Sequence, residues 1–112
     1  MTFKIKQKES TIENAFVRKM KAHHILTRKM NGGGFRSWPD RMIVLYKMTP
    51  YIEFKRPGET STELQEDCHE VLRGLGHPVE VFTDAVSAEK WILALHKKAE
   101  RQRKRDIENN SP

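Results

Sequence analysis

Cysteine is nearly absent: Cys68 is alone among 112 residues, so no internal disulfide can form. A lone thiol suits a reducing compartment and excludes the disulfide-stapled class of small secreted domains. No apolar run approaches the ~20 residues that cross a bilayer. The first ten residues, MTFKIKQKES, are basic but lack the apolar stretch of a secretory signal. Apolar residues make up 37% of the chain, below the usual share, and aromatics only 8%. Six glycines and five prolines follow no period, so collagen-like and repeat architectures are excluded. The expectation is one small α/β domain over residues 1–112, cytoplasmic in a bacterial or viral-host cell, with no membrane association.

What is abundant is charge, at 32% of residues with a net +6. It is unevenly placed. Residues 1–30 hold eight basic and two acidic side chains, residues 31–96 seven and ten, and residues 97–112 six and three. Basic ends around a mildly acidic middle suit a polyanion whose phosphates meet carboxylates through a bridging cation. Charge of this size also serves plain solubility.

The element order reads α-β-β-β-α-β-α. A capping box, Ser10-Thr11-Ile12-Glu13, opens a helix with Ile12, Phe16 and Met20 on one face, fading near His23-His24. Residues 25–30 read as a strand, and Asn31-Gly32-Gly33-Gly34 as a loop. Strands follow at 41–46 and 51–55, with the turn expected at residues 47–50. A second capping box, Thr62-Glu63-Leu64-Gln65, opens a helix whose apolar stripe is Leu64, Cys68, Val71, Leu72 and Leu75. A strand at 78–82 and a helix from Ala85 into the high nineties complete a core of about 10–98. Residues 97–112 are a basic tail into which that helix can continue. Strand–helix–strand over 51–82 suits a parallel crossover, and 41–55 an antiparallel hairpin, giving a mixed sheet flanked by helices.

Glu53 and Lys55 are two apart on a strand and share a face, while Ile52 and Phe54 point the other way. Alone, that pair reads as well as a surface ion pair worth fractions of a kcal/mol. Asp40 changes the reading. Pro39-Asp40, twelve residues, then Glu53-Phe54-Lys55 places two carboxylates at neighbouring strand ends. Two carboxylates with several waters make an Mg²⁺ site, and a nearby lysine can orient a water or offset phosphate charge. A turn at Met48-Thr49-Pro50 would offset these carboxylates by about four residues, ~13 Å, and then a bulge or bend before Arg41 is needed.

This arrangement resembles the PD-(D/E)xK nucleases, and within them the single-domain virus-type replication-repair nuclease (VRR-NUC) family. The resemblance runs over about residues 10–95. It rests on Glu13, the glycines before Trp38-Pro39-Asp40-Arg41, YIEFKRPG at 51–58, TELQ at 62–65, LRGLG at 72–76 and VEV at 79–81. It implies a restriction-endonuclease-like fold and a metal-dependent DNA endonuclease acting on four-way or other branched DNA as a homodimer. It also implies that Asp40, Glu53 and the Phe54 carbonyl hold Mg²⁺ or Mn²⁺. By the same resemblance Glu13 completes the site, Lys55 positions the attacking water, and Gln65 supports the lysine or substrate. Glu13 and Gln65 each sit where they can instead close a capping box. The alternative to an enzyme is a non-catalytic nucleic-acid binding module on the same fold.

Other residues carry weaker signals. His23-His24 and Cys68-His69 lack zinc-ligand spacing, and Cys68 falls on an apolar stripe. Gly32-Gly33-Gly34 lacks the lysine of a phosphate-binding loop. Phe35 and Trp38 can stack on bases or pack beneath the sheet. Phe3, Phe35, Trp38 and Tyr46 are candidate interface aromatics. KKAERQRKR at 97–105 can contact phosphates or cap a solvated helix end.

Overall fold

The computed structural model describes residues 8–30 and 37–110. The elements are α1 (Glu9–Ala22), β1 (Leu26–Lys29), β2 (Arg41–Val44), β3 (Tyr51–Phe54), α2 (Glu63–Gly74), β4 (Val79–Phe82) and α3 (Ala85–Asn109). The expected order holds. The sheet runs β1-β2-β3-β4, with the first two pairings antiparallel and β3–β4 parallel across the α2 crossover. Gly32-Gly33-Gly34, Phe35 and Phe3 lie outside the described residues. Among the described residues no helix is long and apolar enough to cross a membrane.

Strand alternation divides the molecule into two packed layers. Ile43, Ile52 and Phe54 face α1 and α3, where Ile12, Phe16, Met20, Ala88 and Ile92 close the main core. The Phe16 and Phe54 rings meet at 5.3 Å. On the other face a smaller cluster of Tyr51, Leu72 and Val79 is flanked by Trp38, Met42 and Cys68. Trp38 thus packs edge-on against Tyr51, with centroids 6.0 Å apart.

Three local expectations are corrected. The hairpin turn lies at Tyr46-Lys47, with Leu45 bridging Met48, rather than over 47–50. Lys47 takes the left-handed backbone at φ 49 that this tight turn requires. Pro50 instead lies in the paired region, its carbonyl accepting the Ile43 amide at 2.8 Å. Helix α1 starts before the Ser10 box: Lys8 is the N-cap, makes no side-chain cap, and its carbonyl takes the Thr11 and Ile12 amides. Glu13 is therefore released from capping.

The apolar stripe expected on α2 is rotated. Leu64, Val71 and Leu75 are 71%, 64% and 72% exposed, while His69 and Leu72 are buried and Cys68 is half-buried. The crossover sets which face meets the sheet, and it places the face carrying His69 inward. Helix α3 takes the longer of the two ends that the sequence allows. It is capped by Asp84 on the Ser87 amide at 2.7 Å and runs to Asn109, so most of the basic tail is helix.

These placements predict a sharp contrast. Phe16→Ala, which empties the main core, costs about 3–5 kcal/mol. Leu64→Ala on the exposed face of α2 stays within about 0.5 kcal/mol. Urea denaturation of the two variants reads the difference.

Candidate active site

The β2–β3 register places the carboxylates. Arg41 pairs with Ile52 and Met42 with Tyr51, so the next position pairs Asp40 with Glu53. Directly opposed residues share a face, about 5 Å apart at Cα. No bulge is needed, because the turn sits two residues earlier than the sequence suggests. Pro39 is buried and holds the approach to Asp40. Asp40 Oδ2 then accepts the Phe54 amide at 2.7 Å, extending the ladder with a side chain. In an antiparallel pairing a residue's amide and carbonyl leave by the same edge. The Phe54 carbonyl therefore faces the edge where the Asp40 carboxylate sits.

Glu53 and Lys55 emerge on the α2 face, as alternation predicts, and both are buried. Lys55 Nζ lies 3.2 Å from Glu53 Oε2. On the other oxygen, Oε1, His69 Nε2 approaches at a long 3.4 Å. Glu53 is only 2% exposed, and its Oε2 receives no directed hydrogen bond despite the lysine charge beside it. A buried carboxylate oxygen without a donor is costly unless a cation uses it.

Asp40 is pushed up to about 6, first by burial, then against the stabilising Phe54 amide by the nearby charges of Glu53, Glu13 and Glu9. Glu9, in the first turn of α1, is itself raised by burial and by Glu59. Carboxylates thus crowd one end of the sheet with too little positive charge among them.

Glu13 comes to this end from α1. Its Oε2 accepts Arg41 Nε at 2.6 Å, and both side chains are largely buried. Its field still reaches Asp40. Gln65 closes its own capping box. Its side chain accepts the Thr62 amide at 2.9 Å, and its amide donates to Thr62 Oγ1 at 3.2 Å. His69 and Arg41 are the residues that sequence reasoning missed. His69 lies one turn beyond Gln65 on α2, the position next to face the sheet. Arg41, directly after Asp40, is cross-strand to Ile52 and so points toward α1.

Among the described residues no three His, Cys, Asp or Glu side chains gather into a metal-binding group. The donor set is instead two opposed carboxylates and one carbonyl edge. That set fits Mg²⁺ or Mn²⁺, which take one or two carboxylates and keep several waters. Glu53 Oε2, buried with no directed hydrogen bond and the Lys55 ammonium beside it, is an oxygen that such an ion would use.

The sign of the Asp40 shift gives a stability test on the metal-free chain. Unfolded, Asp40 titrates near 3.8; folded, near 6. Below 3.8 both states hold the proton and the folded state has its full benefit. That benefit is lost as pH rises through 6, where the folded chain must carry an unfavourable charge. Asp40→Asn keeps an oxygen for the Phe54 amide and removes that charge. In EDTA it raises the melting temperature at pH 8, and the gain shrinks toward pH 4.

No family profile and no curated protein sequence matches the chain. A solved structure described as a VRR_NUC domain is similar to it, at a TM-score of 0.65 and 23% sequence identity, covering 75% of this chain and 92% of that one. The chain therefore has the restriction-endonuclease-like α/β fold of a VRR_NUC domain.

Proposed function

We propose that the chain is an Mg²⁺- or Mn²⁺-dependent endonuclease that hydrolyses phosphodiester bonds in branched DNA. The observation that carries the reading is the opposition of Asp40 and Glu53 at the sheet end, with Lys55 against Glu53. The shared fold with a VRR_NUC domain supports it.

Asp40, Glu53 and the Phe54 carbonyl would hold the ion. When bound, it supplies positive charge for the phosphate and makes an attacking water acidic. Lys55 orients that water and offsets the charge that grows on the phosphoryl oxygens. Water attack breaks the bond from phosphorus to the 3′ oxygen, leaving a 5′-phosphate; the departing oxygen takes up a proton and becomes a 3′-hydroxyl. His69 holds the Glu53 carboxylate in one rotamer from behind. Glu13 acts through Arg41, which fixes the start of β2 beside Asp40. Gln65 fixes the first turn of α2, the helix that carries His69. The working form is a two-fold homodimer, because resolving a four-way junction needs two equivalent centres. The single thiol suits an intracellular setting.

Asp40→Asn loses cutting of plasmid and junction DNA by orders of magnitude while binding DNA as well as the parent, since losing a negative charge weakens no phosphate contact. Gel assays in Mg²⁺ against EDTA check this. Near-normal cutting by the variant overturns the assignment, and a parent that binds but never cuts shows a binding module.

His69→Leu weakens Mn²⁺ binding about 10-fold or more, as loss of a carboxylate-orienting partner does. His69→Gln, which keeps a donor, recovers part of it. Calorimetric titration with Mn²⁺ reads both without any turnover.

A further inference from the structure

One strongly charged surface is not used by this site. It is the outer face of α3. Taking the buried Ala88, Ile92 and Ala99 as the inward direction, 100° per residue places Lys97, Lys98, Arg101, Lys104 and Arg105 within an arc of about 120° on the opposite side. All five are exposed. None is in an ion pair among the described residues. Arg105 donates only to neutral Gln102, whereas Arg103, off this arc, pairs with Glu100.

The face is held in place at its far end. Asp106 accepts the Tyr46 hydroxyl at 2.8 Å and Lys47 Nζ at 3.0 Å from the hairpin turn, and Gln102 from its own helix at 2.9 Å. The cations therefore ride on a helix bound to the body at both ends, not on a loose tail.

Its position relative to the site is determined by the topology. Helix α3 starts just after β4, whose Phe82 carbonyl takes the Lys55 amide at 2.9 Å, so it starts at the site's end of the sheet. It ends at the hairpin turn, six strand residues or about 20 Å from Glu53. Lys97 lies twelve residues into the helix, about 18 Å along it, and the other four lie farther still. In addition, α3 covers the Ile52–Phe54 face, whereas Glu53 and Lys55 point to the α2 face. A straight duplex seated on the site does not reach this stripe, and DNA is too stiff to curl around one small domain at little cost.

We propose that the outer face of α3 is a second nucleic-acid surface, binding the phosphate backbone of a segment other than the one held at the catalytic end. The inference rests on the nuclease reading above. Flexible lysines with no aromatic side chain among them suit sequence-independent phosphate contact rather than base readout.

The test uses the full chain in the Asp40→Asn background, so that DNA is bound but not cut. Lys97, Lys98, Arg101, Lys104 and Arg105 are changed together to Gln. Two probes are compared: a linear duplex of about 12 bp, roughly 40 Å long, and a four-way junction. Each lost phosphate contact lowers the slope of log K against log salt by about 0.9, so loss of most of the stripe removes roughly 3 to 4.5 from the junction slope. The linear-duplex slope falls by less, because a duplex held at the catalytic end does not engage the stripe at the same time. Equal losses on both probes, or no loss on either, overturn the second surface while the parent's DNA binding stands. A parent that binds neither probe removes the nuclease reading itself.

Discussion

The pairing register of β2 with β3 is the constraint on which the site depends. A two-residue turn at Tyr46-Lys47 makes every opposed pair sum to the same position, and so brings Asp40 opposite Glu53. A slip of one residue would send either carboxylate to the other face of the sheet. A slip of two would keep the face but separate the acids by about 7 Å along the strand. The main core favours the register, because Ile43, Ile52 and Phe54 are buried together in this alignment. Packing on one face of the sheet thus sets the chemistry on the other.

The site is destabilising when considered alone. Glu53 is buried with one oxygen lacking a hydrogen-bond donor, and Asp40 titrates near 6 because burial and three other carboxylates oppose its charge. Lys55, His69 and the Phe54 amide compensate in part. The aromatic and aliphatic layer beneath, from Phe16 to Ile92, supplies the stability that makes this concentration of charge tolerable.

Much of this was legible in the sequence. Alternation alone separated Glu53 and Lys55 from Ile52 and Phe54, and the spacing of Ile12, Phe16 and Met20 identified the buried face of α1. What stayed hidden has physical reasons. Lys47 adopts a left-handed backbone without the Gly or Asn that usually announces one, while Pro50 marks a turn that is not there. The Ser10 capping box was a false boundary because Lys8 starts the helix through its carbonyl. On α2, three aliphatic side chains at helical spacing pointed to a face that is solvent-exposed. The true inward face carries His69, a residue that hydrophobic periodicity cannot register. Gln65 and Glu13 looked alike in their boxes; the structure gives capping to the first and an ion pair to the second.

The Asp106 clasp also bears on how the chain is degraded. Arg101 to Arg105 is a dense run of basic residues, the chemistry a trypsin-like protease seeks, and cleavage needs an extended backbone. While Asp106 ties the helix to the Tyr46-Lys47 turn, that run stays coiled and is a poor substrate. Nicking there requires the helix end to detach first. The rate at which it is nicked is then a clock for opening of the joint between the hairpin and α3, two elements sixty residues apart in the chain.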